Sequence, residues 1–567
     1  MRAAFATQRP LFVSAFVFSA IMSILALATP FYMLQVYDRV LTSRSLETLL
    51  LLTIIAAVAI AVLSVLDSLR LRLLVRIGMR IAEQLSPSVL RAMIATTSQS
   101  GGIEARTGMR DIDTIRNFIG SHGFSALLDA PFIVLYVIVL LLISPVFVGI
   151  VAIGGAILVL IAAVNQRTTD PLLVRSLTQA ARAQEFAEDG LHNSDVLEGM
   201  GISNAFVTRW RRQWLESLAA GTEAWDRDSR LSSLSRAVRL LIQIALLGAG
   251  AILILNYRGT GGIMIGASII GARALAPIES LVSAWKSVTA VRLSWTRLTD
   301  LLERGPKREE GMKLPAPSGH LQVVSVHYVV PGTRKTVLAN VGFELSAGES
   351  LGIIGPSASG KSTLLRLLVG AWPATAGNVR LDGADIYTWP RAELSRYIGY
   401  LPQDVELFSG TVRENIARMT DGEPDDVVRA ARRAGAHEMI LALPRGYDTV
   451  IGDYGHNLSG GQSQRIGIAR ALYGDPRFVV LDEPNSNLDR AGEDALLASI
   501  AQLKQERVTV VIVAHRPSTL QTVDKMLVLR ANGSVETFGP RTDVMQQFAR
   551  PGRPGNVVPL SPGSGPL

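Results

Sequence analysis

The sequence predicts a helical membrane domain of six spans followed by an α/β domain built around a phosphate-binding loop. Three observations carry that expectation. Six apolar runs occupy the first half of the chain. In the second half, Leu351–Leu364 (LGIIGPSASGKSTL) reads as an apolar strand, a glycine-bounded loop and the start of a helix. Between the halves lies Gly305–Gly319 (GPKREEGMKLPAPSG), whose Pro, Gly and charge are the composition of a linker. A chain of 567 residues is long enough for two or more domains. Its 48% hydrophobic content and mean hydropathy of +0.30 point to membrane spans.

Composition also excludes. There is no cysteine, so disulfides, thiolate metal sites and Cys nucleophiles are ruled out. The net charge of +8 would suit nucleic acid. Basic residues gathered in the cytoplasmic loops of a membrane protein also account for it, and no nucleic-acid partner is expected. The first apolar run is long and lacks a clear small-residue cleavage site, so no cleavable signal peptide is expected.

The spans are expected at Leu11–Leu34, Thr48–Leu66, Leu127–Ile143, Val146–Val164, Val238–Leu255 and Ile263–Val282. Residues 70–116 carry eight arginines and residues 167–236 carry nine. The other connections are short and poor in basic residues, so the positive-inside rule places both long connections and both termini in the cytoplasm. The long connections show helical periodicity and are expected to continue the membrane helices, each turning near Gly108–Phe118 and Gly199–Trp210. The domains are therefore residues 1–304, a linker at 305–319, an α/β domain at 320–549 and a Pro/Gly/Ser-rich tail at 550–567, expected to be disordered.

The loop fits Gly-x-x-x-x-Gly-Lys-Ser through Gly355, Gly360, Lys361 and Ser362, with Ser357, Ser359 and Thr363 beside them. Glycines let successive N–H groups turn toward phosphate oxygens, and the following helix adds its positive end. Lys361 is expected on the β- and γ-phosphates of ATP and Ser362 on Mg²⁺. The strand Arg477–Pro484 (RFVVLDEP) ends in two carboxylates: Asp482 would join the Mg²⁺ sphere, and Glu483 would act as general base or position the attacking water. In Asn457–Arg470 (NLSGGQSQRIGIAR), Ser459, Gly460, Gly461 and Gln462 open a second anion-binding helix N-terminus.

LSGGQ resembles the signature motif of ATP-binding cassette (ABC) proteins, and other elements of that family stand in order. Tyr328 resembles the aromatic that stacks on adenine. Gln403, in YLPQDVELF, matches the loop glutamine that serves the metal and the γ-phosphate. Ile451–Gly455 (IGDYG) resembles the exporter X-loop, with Asp453 where Glu is usual. Asn487–Asp489 matches the D-loop and His515 the switch histidine. The resemblance implies that ATP is sandwiched between two chains, hence a homodimer or a heterodimer with a similar half. Pro30–Thr53, Gly271–Glu303 and LDEPNSNLD (Leu481–Asp489) are similar to type I secretion ATPases of the subgroup that exports proteases, lipases and haem-binding proteins.

That similarity implies a bacterial inner-membrane ABC half-transporter exporting an unfolded protein with a C-terminal signal, through a periplasmic membrane-fusion adaptor and an outer-membrane channel. A first span near Leu11 leaves no room for the N-terminal peptidase domain of some relatives, so leader cleavage is not expected. Arg273 and Glu279 lie inside the sixth apolar run, where ionisable groups usually face a bundle interior or water path; the alternative is that the span ends early. Gly108–Phe118 and Gly199–Trp210 are the expected contacts to the ATPase domain, with Asp111 and Arg209 their test residues. Two rivals stay open: a lipid or small-molecule exporter of the same fold, and a membrane-anchored regulatory ATPase that transports nothing.

Overall fold

A computed structural model describes residues 1–100, 107–256, 259–304, 314–452, 458–514 and 516–549. Asp453, His515 and the tail 550–567 lie outside the described residues. The chain divides into two compact units: residues 1–97 with 101–306, and residues 98–100 with 307–567.

The first unit is helical. Its main elements are α1 (Arg9–Leu25), α2 (Ala28–Gln35), a π-helical turn (Val36–Val40), α3 (Leu46–Ser100), α4 (Gly108–Ile119), α5 (His122–Asp129) and α6 (Ile133–Ile143). These are followed by α7 (Pro145–His192), α8 (Ser194–Gly199), α9 (Ser203–Leu255), α10 (Gly261–Ser283) and α11 (Trp285–Arg304). Six helical segments among the described residues are long and apolar enough to cross a membrane. The long polar connections do continue as helices, so α3, α7 and α9 run 55, 48 and 53 residues. Local chemistry sets the starts and breaks. Ser144 caps α7 through the Val146 N–H, with Pro145 at the first helical position. Thr260 caps α10 through the Ile263 N–H. The third span runs from His122 to Ile143 and tightens into a 3₁₀ turn at Ala130–Phe132, where Pro131 sits.

Two apolar clusters organise this unit. One joins Tyr136, Leu140, Phe147, Leu246, Ile270 and Leu275. The other joins α3 (Leu74, Ile77, Ile81), α4 (Ile112, Ile115, Ile119) and α11 (Leu298). Glycines let the long helices touch: a Cβ on Gly154 would fall 2.3 Å from Ile242, and one on Gly271 would fall 2.3 Å from Leu246. Arg70 is not a solvated loop charge. It is 4% exposed and donates to Ser19 Oγ (2.8 Å), Asp129 (2.5 Å) and Asp67 (2.8 Å), tying α1, α3 and α5 together.

The second unit carries a six-stranded sheet in the order β12-β11-β3-β10-β9-β6 and a four-stranded antiparallel sheet in the order β2-β1-β4-β5. The strands of the larger sheet are β3 (Ser350–Ile354), β6 (Ile398–Leu401), β9 (Phe478–Asp482), β10 (Thr509–Val513), β11 (Lys525–Leu529) and β12 (Val535–Pro540). All its pairs are parallel except β11 with β12. The strands β9 and β10 are buried along their whole length, as parallel strands between helices must be. In the smaller sheet, β1 (Leu321–Val329) pairs with β2 (Thr336–Leu345) and β4 (Ala376–Leu381), and β5 is Ala384–Asp385; β7 (Gly410–Thr411) and β8 (Val450–Ile451) form a separate antiparallel pair. The unit is pinned at its start by Asp382, which accepts from the N–H groups of Ser318, Gly319 and His320 and from Ser318 Oγ.

Candidate nucleotide site

The phosphate loop leaves the end of β3 and enters α12 (Lys361–Leu368), as the glycine pattern requires. Gly360 caps that helix at φ +90, and a Cβ there would lie 2.8 Å from Leu338 and 3.0 Å from the Val337 carbonyl. A cleft of about 560 Å³ opens over the loop, within the range of roughly 300–1,000 Å³ for small-molecule sites. Ser357, Ser359, Gly360, Lys361, Ser362 and Thr363 line it, together with Gln403 and Glu483 from the ends of other strands. Four residues that sequence reasoning missed also line it: Lys335, Thr336, Val337 and Ala531. They come from the start of β2 and from beyond β11, and no motif marks them.

The electrostatics concentrate on three side chains. The Lys361 ammonium donates to the carbonyls of Gly355 (2.9 Å) and Pro356 (3.0 Å). Burial pulls its pKa down, while Glu483 and Asp482 oppose that. Asp482 is 2% exposed at the end of β9. Burial pushes its carboxyl above the usual carboxylate range, a hydrogen bond from Ser362 resists, and Glu483 adds to the rise. Its Oδ1 is buried with no hydrogen-bond partner. A buried, unpartnered carboxylate oxygen beside a hydroxyl is a donor set that suits a hard divalent cation. Glu483 follows at φ +47, its N–H held by the Val513 carbonyl at 3.0 Å. Gln403 Nε2 donates to Glu483 Oε2 at 3.4 Å, which brings two of the sequence candidates together.

Other candidates lie elsewhere. Ser459 caps α13 (Gly460–Leu472): its Oγ accepts from the Gln462 N–H, and the Gln462 side chain accepts from the Ser459 N–H at 2.8 Å. This helix start does not line the cleft within one chain. Gln464, fully buried, donates to the Pro484 carbonyl at 3.0 Å and so links α13 to the residue after Glu483. Asp489 caps α14 (Arg490–Gln505) through the Gly492 N–H and pairs with Arg465 of α13 at 2.5 Å; the backbone bond and then Arg465 hold its carboxyl below the usual range.

Tyr328 is 4% exposed, stacked on Trp372 with ring centroids 5.2 Å apart, and does not line the cleft. A bulge is the cause. Val324 and Ser325 are consecutive exposed residues, Ser325 stands at φ +45, and the pairing of β1 with β2 slips there. One extra residue reverses which side chains face inward, and it turns Tyr328 into the core.

In the membrane unit, Arg273 is exposed on α10, whereas Glu279 pairs with Arg239 of α9 at 3.0 Å. Arg209 is exposed. Asp111 is not the surface group expected: it is 2% exposed and bound by α11. Charge reversal there would report the loss of a buried pair, not of a docking contact.

Comparison with known proteins agrees with this architecture. The ABC transporter family model matches residues 338–486, and the ABC transporter transmembrane region matches residues 12–269. The chain is 40% identical over 548 residues to the type I secretion system ATP-binding protein PrsD of Rhizobium meliloti (strain 1021), covering 96% of this chain and 94% of that one. It is 31% identical over 554 residues to the leukotoxin translocation ATP-binding protein LktB of Mannheimia haemolytica, covering 95% and 77%. A bacterial Atm1-family ABC exporter solved with ATP bound shares the fold, with a TM-score of 0.83 at 22% identity over 96% of this chain and 97% of that one. The chain belongs to the ABC transporter family, among the ATP-binding proteins of type I secretion.

Proposed function

We propose that this multi-pass inner-membrane protein works as a homodimer that exports an unfolded protein with a C-terminal signal. A periplasmic adaptor and an outer-membrane channel would complete the conduit. The ATPase domain and both termini lie on the cytoplasmic side, where the arginine-rich connections also belong. The observation that carries the reading is the full-length similarity to PrsD, which spans membrane and ATPase units together.

Lys361 and the loop N–H groups hold the ATP phosphates, in the cleft that Lys335 and Val337 also line. Ser362 and Asp482 are the residues that hold Mg²⁺, with Gln403 at the edge; the ion would neutralise charge on the phosphates. Glu483 takes the proton of the attacking water, and Gln403 steadies the Glu483 carboxylate. His515 is assigned to the γ-phosphate on its sequence match. Ser459, Gly460 and Gly461 of one protomer close on the ATP of the other, and the Ser459–Gln462 capping box preforms that helix start. Arg273 faces the export path, whereas the pairing of Glu279 with Arg239 gives it a fixing role between α9 and α10.

The test is ATP hydrolysis by the full chain in lipid discs, with Glu483→Gln as blank, on adding C-terminal segments of secreted proteins. A saturable response to one segment and none to its scrambled form supports protein export. A response to lipids or amphiphiles alone would replace it with the rival exporter reading. For Arg273, reactivity of an Arg273→Cys variant with water-soluble thiol reagents is expected in at least one nucleotide state, and the absence of native cysteine makes the signal specific. Protection in every state would remove Arg273 from the path.

A further inference from the structure

The amphipathic helix α4 lies between two longer helices of the membrane unit. Ile112, Ile115 and Ile119 join an apolar cluster with Leu74, Ile77 and Ile81 of α3 and with Leu298 of α11. Glycines bring α3 and the α4 segment into close register: a Cβ on Gly78 would fall 2.9 Å from the Arg116 carbonyl, and one on Gly108 would fall 2.8 Å from Met93. Against α11 the contact is polar. Asp111 accepts from Ser294 Oγ at 2.8 Å, from Arg297 Nη2 at 2.5 Å and Nε at 3.1 Å, and from Thr107 Oγ1 at 3.2 Å. Four donors on one carboxylate that is 2% exposed leave it no freedom to rotate. A surface contact would not need that many partners, and a purely apolar interface could slide.

We propose that Asp111 is a positioning residue that makes α4 and α11 one rigid joint, so that movement arriving along α11 is delivered directly to the connection between the second and third spans. Helix α11 follows the sixth span and ends at Arg304, and the membrane unit ends at Pro306. Displacement that ATP causes in the following unit therefore has a covalent route to the spans through α11. The clamp decides where that displacement goes next. With Asp111 in place, α4 follows α11, and α3 follows α4 through the glycine contacts. Without it, α11 moves alone. The inference rests on ATP-driven transport by this fold and is independent of the cargo.

The test uses the full chain in lipid discs with spin labels on introduced cysteines, which are specific because the chain has none. Asn117 and Thr296 are exposed on α4 and α11, and Leu255 is exposed at the end of α9. The 117–296 distance is expected to be the same with ADP as with ATP and vanadate. The 117–255 distance is expected to change between those states. In Asp111→Ala the 117–255 change should be lost and the 117–296 distribution should broaden, while ATP hydrolysis persists. Arg297→Lys, which keeps a charged donor, should retain the change. A merely structural role would lower the melting temperature and leave the nucleotide dependence of the distances intact, and that result would overturn the proposal. So would a 117–296 distance that shifts with nucleotide in the parent protein, a measurement that stands even if Asp111→Ala does not fold.

Discussion

Glu483, proposed above as the base, stands in a strained left-handed backbone conformation, and two substitutions separate the role from the strain. Replacing Glu483 by Gln keeps shape and backbone and removes the base. Loss of a general base costs about 10²–10⁴-fold in rate, or about 3–5 kcal/mol of barrier. ATP binding should persist, because the substitution removes a negative charge facing Lys361. Replacing Glu483 by Gly removes the same base and also relieves the left-handed conformation at φ +47. That conformation costs an L-residue about 1–2 kcal/mol, and the extra chain entropy of glycine takes back about 0.5–1 kcal/mol. The Val513 carbonyl still receives the same backbone N–H. The net gain of about 0–1.5 kcal/mol corresponds to a melting temperature up to about 6 °C higher for a domain of this size. Phosphate release and thermal melting of the purified full chain measure both effects. Glu483→Gln hydrolysing ATP at close to the parent rate would remove Glu483 as the base. A Gly variant melting below the parent would show that the backbone strain is not where the structure puts it.

Three further outcomes follow from the same unit. Lys361→Met should abolish the ATP-dependent rise in melting temperature without lowering stability in the absence of nucleotide. Burial depresses the folded pKa of this lysine, so its charged form opposes folding at neutral pH, and the opposition fades only as pH rises through that value; a lower melting temperature would contradict this. Asp382 is partly buried, which raises its pKa, but hydrogen bonds from Ser318, Gly319 and His320 outweigh that and hold it below the ordinary value. Its stabilisation is therefore present above about pH 4 and lost as pH falls through the folded pKa, so Asp382→Asn should lower stability at neutral pH and flatten the acid limb, as urea titrations at several pH values would show. Tyr328→Leu removes the aromatic face while keeping the position apolar, and the adenine contact expected from its sequence match then predicts a several-fold higher KM for ATP; an unchanged KM would take Tyr328 off the nucleotide.

Much of this protein was legible because its signals are local. Each span is a continuous apolar run, and the phosphate loop and its helix are contiguous, so strand, loop and Lys361 follow from one another along the chain. What escaped depends on distant partners or on parity. Asp111 sits in a helix whose composition reads as half solvated, and nothing near it reveals that Arg297, 186 residues later, will enclose it. Glu279 was placed in the sixth span but could not be paired with Arg239 of α9 without the packing of the two helices. The burial of Tyr328 follows from a single bulged residue, which no alternation pattern around Leu321–Val329 announces. The cleft-lining Lys335–Val337 come from a strand start with no motif of its own.

The 53 residues of α9 have a mechanical meaning. The apolar part, Val238–Leu255, is confined to one end, and its midpoint lies at Leu246, fully buried against Gly271. If that contact acts as a fulcrum, about 9 residues lie on the apolar side and about 43 on the other, or roughly 13 Å and 65 Å at 1.5 Å per residue. The two arms stand at about one to five. A displacement of about 5 Å at the Ser203 end would then move the Leu255 end by about 1 Å, with force multiplied in the same proportion. Such a lever is poor at carrying anything a long way. It is suited to forcing closely packed helices apart over a short distance against strong contacts.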